Sequence, residues 1–248
     1  MAEGRQIPHH GEAIVLRTWP FHEADLLVSL FTREQGKVKG VARHALKSRR
    51  RFGGALEPAT YVRAHYTERP RVELVRLDSF EILWSPMSAA VSLERLAGLQ
   101  FVAEVLEEAV PEGAREDNLF RLAMTCLTAM DEHEVWLPVT YFAVWMARLM
   151  GWWPALGHCG VCGLDLRGQD VWWSPVADGV TCADDRRAQS QRLSASSVAV
   201  AGEFTRKGLE ALLENSWGAS EAWDLRRCAV AVLERHLERR LRSAAQLV

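Results

Sequence analysis

The chain has 248 residues, 48% of them hydrophobic and 25% charged, with a formal net charge of −2. That length allows two domains, the balance is that of a globular rather than a disordered or fibrous chain, and no apolar run reaches the ~18 residues of a membrane span. The charge is unevenly shared: residues 1–80 hold 14 Lys and Arg against 9 Asp and Glu, whereas the remainder holds 16 against 23. A basic front and an acidic back imply different partners for the two halves. Met1 to Gly11 is polar, unlike a signal peptide, and five cysteines without a disulfide-like framework fit a reducing compartment. A cytoplasmic protein with no membrane partner is expected.

In chain order, residues 1–11 read as a frayed tail, because Pro8 and His9-His10 carry no periodicity. Short strands are expected at Glu12–Trp19 and Ala24–Thr32, with Trp19 to Glu23 as a connection because Pro20 cannot donate to a ladder. Arg33 to Gly36 reads as a tight turn. Further strands are expected at Lys37–Arg43, Ala59–Thr67 and Arg71–Ile82. Five short strands with no long helix among them suggest a small barrel. An oligonucleotide/oligosaccharide-binding (OB) type leads, with an SH3-like barrel as the alternative.

From Pro86 the apolar period becomes helical. Helices are expected over Ala90–Val110, Asp117–Asp131 and Trp136–Met150, then Ser194–Leu213 and Glu221–Ser243, the last two separated by Asn215-Ser216-Trp217-Gly218. The final helix carries Arg226, Arg227, Arg235, Arg239, Arg240 and Arg242, and reads mainly as a solvated face with intrahelical pairs to Glu234 and Glu238. The expected fold class is therefore α+β: an N-terminal five-stranded OB-type β-barrel over residues 1–82, then an α-helical domain over 83–248.

Between helices lies GWWPALGHCGVCGLDLRGQDVWWSPVADGVTCADD, residues Gly151 to Asp185. Cys159 and Cys162 stand two residues apart, Cys182 follows, and Asp185 occupies the place of a fourth cysteine. Paired short-spaced ligands separated by about 15–20 residues describe a zinc ribbon, here inserted at about 157–187. Zinc accepts carboxylate oxygen, so Cys159, Cys162, Cys182 and Asp185 form the preferred shell around one structural ion. His158 and Asp184 compete for the fourth position. The alternative is a metal-free ribbon held by Trp172, Trp173 and Val180. Cys126 and Cys228 fall in helical patterns and read as core thiols.

The segment Lys37 to Arg51 contains Lys37, Lys39, Arg43, Lys47, Arg49, Arg50 and Arg51 and no acid. Arginine forks pair with phosphate oxygens, so these seven residues are the expected DNA-binding set, against the plainer reading of a solvated basic loop. Phe52, Tyr61 and Tyr66 offer faces for base stacking, although an aromatic in a barrel strand is more often core. No phosphate-binding loop, GxSxG elbow, HExxH pair or GxGxxG fingerprint occurs. A binding protein is expected rather than an enzyme. The rivals are a protein-binding adaptor that recognises acidic tails with little direct DNA binding, and a metal-dependent nuclease.

Two stretches, GKVKGVARHALKSRRRFGGALEP (Gly36–Pro58) and LMGWWPALGHCGVCG (Leu149–Gly163), together with the order of elements, resemble the bacterial RecO family of recombination mediators. That resemblance implies an OB-type barrel followed by a helical domain with a zinc-binding insertion. It implies binding of single- and double-stranded DNA and annealing of complementary strands. With the partner RecR, such a protein helps load RecA on strands covered by single-stranded DNA-binding protein, whose C-terminal tail it contacts. The family's basic segment falls on the seven cations above and its ribbon on Cys159, Cys162 and Cys182. The departure is Asp185, where many family ribbons have cysteine.

Overall fold

A computed structural model of the chain describes residues 6–48, 50–88, 92–214 and 219–247, with backbone alone at 219–222. Two compact units divide it, Met1–Arg121 and Leu122–Val248.

The first unit is built on β1 (Ile7–Pro20), β2 (Leu26–Thr32), β3 (Gly36–Ala42), β4 (Tyr61–Arg69) and β5 (Val72–Trp84). They pair in the order β1-β2-β3-β5-β4, and β4 pairs back onto β1, so the sheet closes on itself. Strand β1 makes the closure by using different halves for different partners. Ile7 to Ile14 pair with β4, whereas Ala13 to Pro20 pair with β2. The register shifts between Val15 and Arg17, the local kink of a bulge that re-aims a strand. Alternate residues Ala13, Val15, Val28, Leu30, Val62 and Leu77 fill the interior.

The tail expected at 1–11 is corrected from Ile7 onward, since Ile7 to Gly11 belong to β1; residues 1–5 lie outside the described residues. Pro8 fits because β2 pairing begins only at Ala13, leaving one edge of β1 unpaired there. Likewise Pro20 ends β1 opposite Leu26, beyond the reach of β4, rather than starting a connection.

Gly40 sits where β3 meets β5 in parallel, and a Cβ there would lie 2.6 Å from Val75 Cγ2. Helix α1 (Leu93–Ala109) packs on β1 and β2. The Ser92 side chain caps it, accepting from the Arg95 N–H at 3.1 Å. Helix α2 (Asp117–Ala129) sets Phe120 against Phe31 and Tyr61, with ring centroids at 5.5 and 6.1 Å.

In the second unit α3 (Trp136–Leu149) packs against α6 (Ala219–His236). A three-stranded sheet lies between them in sequence, formed by β6 (Val171–Ser174), β7 (Ala177–Thr181) and β8 (Gln191–Leu193) in the order β7-β6-β8. The helix expected at Ser194–Leu213 is two, α4 (Ala195–Arg206) and α5 (Leu209–Leu213), because Lys207 and Gly208 between them are extended. The expected helix Glu221–Ser243 stops at His236. Glu238 turns left-handed at φ 54°, and the Glu234 carboxylate accepts from the Leu241 N–H at 2.9 Å, drawing the chain back. Arg239, Arg240 and Arg242 therefore lie past the helix, and Arg235 pairs with Asp178 at 2.7 Å rather than within its own helix. The loop expected at Asn215 to Gly218 lies outside the described residues.

Gly36 shows how closely the first unit is packed. Its φ is +69°, and a Cβ there would lie 2.0 Å from the Ala114 carbonyl oxygen. Gly36→Ala is expected to cost about 3 kcal/mol or more, from left-handed strain and a backbone collision together. Gly54→Ala, with nothing within 4 Å of the new atom, should stay within about 0.5 kcal/mol. Urea-unfolding midpoints of the two variants check this.

Candidate nucleic-acid interface and metal centre

The seven cations of Lys37 to Arg51 divide by environment. Lys37 and Lys39 lie two apart on β3 and so share a face. Lys37 is buried, and its Nζ donates to the Glu107 carbonyl at 2.5 Å. The reason is visible in the sequence of α1: the residue four beyond Glu107 is Pro111, which has no N–H to donate. Lys37 supplies the missing donor and places a positive charge at the helix C-terminus, where it is stabilising. Ser29 Oγ donates to the buried Glu107 carboxylate at 2.5 Å. Lys39 Nζ bonds Glu112 Oε1 at 2.6 Å. That bond raises the lysine pKa and lowers the carboxylate's. These two lysines hold the α1–α2 connection onto β3.

Beyond β3 the chain leaves the sheet. Arg43, Lys47 and Arg50 are exposed and have no carboxylate partner among the described residues. Arg49 lies outside the described residues. Arg51 is half-buried: it donates to Ser48 Oγ at 3.0 Å and to the Arg43 carbonyl at 2.5 Å, and its guanidinium lies 5.1 Å from the centroid of Phe52. The loop is therefore braced by Arg51 and presents Arg43, Lys47 and Arg50 to solvent.

The aromatics expected as stacking faces are largely interior. Phe52 is 2% exposed and meets Phe80 edge-on at 5.4 Å. Tyr66 is 4% exposed and donates to Gln35 Oε1 at 2.6 Å, and burial pushes its phenol up to about 12, so it remains a neutral donor. Tyr61 is half-buried against Phe120.

The cysteine stretch assembles its donors at one point. Gly163, at φ +75°, closes a turn in which its N–H bonds the Cys159 carbonyl at 3.0 Å. The Val161 N–H points at Cys159 Sγ at 3.4 Å, and the Gly160 N–H bonds Val180 of β7 at 2.9 Å. Cys182 follows β7 directly. The Sγ atoms of Cys159, Cys162 and Cys182 and a carboxylate oxygen of Asp185 all lie within 4.8 Å of one another. Asp185 Oδ2 is 3.2 Å from both Cys159 and Cys182. Hydrogen bonds from Cys162, Cys182 and Cys159 keep its carboxyl below the usual range. The bond to Asp185 pushes the Cys162 thiol up to about 12.

His158 and Asp184 are exposed and stand outside this group. The Cys162–Cys182 separation is 3.8 Å, close to the ~3.8 Å that two thiolates span across a tetrahedral ion at about 2.3 Å from each. The donor set therefore fits a metal ion. Cys126 and Cys228 are fully buried, and burial pushes both thiols well up.

Two family models match this chain: Recombination protein O N terminal over residues 7–86 and Recombination protein O C terminal over 91–245. The chain belongs to the RecO family. The protein named DNA repair protein RecO of Koribacter versatilis is 49% identical over 236 residues, covering 95% of this chain and 96% of its own. Those of the same name from Syntrophobacter fumaroxidans and Geobacter metallireducens are 34% and 31% identical, covering 73% and 95% of this chain and 72% and 95% of their own. The closed sheet falls within the N-terminal RecO match, and the cysteine cluster within the C-terminal one.

The division of the lysines is open to test. Lys37→Met is expected to lower stability by about 1.5–3 kcal/mol through loss of a charged hydrogen bond at a helix end. Lys47→Met should stay within about 0.5 kcal/mol. Urea unfolding of both variants distinguishes a helix-capping lysine from a solvent-facing one.

Proposed function

We propose that this RecO-family chain is a recombination mediator in DNA repair that binds single- and double-stranded DNA through an OB-type barrel and anneals complementary strands. Its further role is to help load RecA, with RecR, on strands covered by single-stranded DNA-binding protein, whose C-terminal tail it contacts. The observation that carries the DNA-binding reading is the loop after β3, where Arg43, Lys47 and Arg50 are exposed and have no carboxylate partner among the described residues. Arg49 and Arg51 continue the same run. Lys37 and Lys39 act at one remove, by holding the strand from which the loop springs.

Annealing on such a surface needs no covalent chemistry. Two strands repel through their phosphates, and a cationic loop lowers that repulsion while leaving base edges free to pair. Phosphate contacts carry no base information, so sequence preference is weak.

We further propose that Cys159, Cys162, Cys182 and Asp185 hold one structural zinc ion. The fit of the sulfur–sulfur distance supports it. The ion would tie the knuckle at Cys159–Cys162 to the end of β7 in a segment with few buried residues of its own. Three thiolates and one carboxylate carry the same formal charge as four thiolates, so replacing a cysteine with Asp185 leaves the electrostatic demand of the site unchanged.

Two measurements test these assignments. Neutralising about five phosphates on a single strand gives a slope of log K against log salt near −3.5. Arg43→Gln/Lys47→Gln/Arg50→Gln is expected to flatten it by about 2. An unchanged slope in the folded triple variant removes the loop from the interface. For the metal, reduced, metal-free protein is expected to take up one zinc and to gain about 2.7 kcal/mol at a free zinc concentration 100-fold above Kd. Cys182→Ser should abolish the gain and Asp185→Cys preserve it. Equal zinc content in the wild type and Cys182→Ser would remove the assignment.

A further inference from the structure

The turn between β1 and β2 carries an aromatic residue that the barrel core does not use. Phe21 is 41% exposed, and among the described residues of the first unit it is the only Phe, Tyr or Trp left exposed. Its ring lies 4.3 Å from that of the exposed His22, tilted by 59°. A single exposed apolar side chain is ordinary; the neighbourhood of this one is what gives it meaning. The turn is closed by Phe21 N–H to the Asp25 carbonyl at 3.1 Å and anchored by the buried Ala24. Two hydrogen bonds then join it to the cationic loop after β3: His44 N–H to Asp25 Oδ1 at 2.7 Å, and Leu46 N–H to the Ala24 carbonyl at 3.3 Å. Leu46, also exposed at 65%, stands directly before Lys47. The aromatic turn and the cations Arg43, Lys47 and Arg50 thus form one continuous rim rather than two separate features.

We propose that Phe21, backed by His22, is a stacking platform for an unpaired base of single-stranded DNA whose phosphates lie on the loop cations. This rests on the DNA-binding reading above and adds to it a preference between substrates. An aromatic face gains from any base that is free to leave its neighbours, whatever its identity. A base inside a duplex is already stacked on both faces and cannot use it. The cations therefore serve both forms of DNA, and Phe21 serves only the single strand. The buried Phe52 and Tyr66 cannot take this role without unpacking the core.

The test is equilibrium binding to a thymidine oligonucleotide, to an abasic oligonucleotide of the same length, and to a duplex. Phe21→Ala is expected to bind the thymidine strand about 5- to 150-fold more weakly. Binding to the abasic strand and the duplex should not change, nor should the salt slope on any of the three. Phe21→Trp should restore binding. Phe21→Leu, which retains apolar bulk without a π-face, should behave like Phe21→Ala and serves in its place if the smaller side chain impairs folding. Unchanged thymidine-strand affinity in folded Phe21→Ala or Phe21→Leu would overturn this inference alone, as would an equal loss on all three ligands. If the wild type binds none of the three at low salt, the DNA-binding reading fails, and the stacking platform with it.

Discussion

The first unit depends on β1 being longer than either of its partners. At 14 residues it exceeds both β2, with 7, and β4, with 9, so one end can pair with each and the sheet closes on itself. The bulge near Leu16 lets the strand turn between the two ladders. Closure gives a single inside, which the alternating Ala13, Val15, Val28 and Leu30 occupy. It also fixes where the connections emerge. The β1–β2 turn and the loop after β3 come out together and are hydrogen-bonded to each other.

That closure sorts the basic segment into structural and solvent-facing members. A run of cations looks uniform in sequence, yet β3 directs Lys37 and Lys39 toward the C-terminal end of α1 and its connection to α2, where Pro111 has left a carbonyl without its donor and Glu112 offers a carboxylate. Past Ala42 there is no strand to impose a face, and Arg43, Lys47 and Arg50 meet solvent. Charge density alone therefore overstates the surface available to a polyanion, while the pairing pattern identifies the part that remains.

The cysteine cluster has the opposite character. Its donors are close in sequence or brought together by one hairpin, so short-range geometry decides most of it. A glycine-permitted turn aligns Cys159 and Cys162, and antiparallel pairing of β6 with β7 returns the chain to deliver Cys182 and Asp185. Trp173 and Val180, paired across that hairpin and both buried, provide the packing beneath it.

What the sequence determined by itself was local: strands where β-branched and aliphatic residues cluster between turn residues, helices where the apolar period changes after Pro86, and a donor set whose spacing specifies a knuckle. These depend on contacts within a few residues or across one tight connection. Only the tertiary structure decided the rest. Ile7 to Gly11 carry no strand signal of their own and become a strand because β4 offers them an edge. The helix after Ser194 breaks at Lys207 and Gly208, and the last one ends at His236 because Glu234 reaches forward to the Leu241 N–H, a distinction that helical periodicity does not contain. Phe52 and Tyr66 are core and Phe21 is exposed, although all three are aromatic residues near basic ones. Burial is a property of how strands are arranged around one another, and the identity of a side chain does not reveal on which side of a closed sheet it will fall.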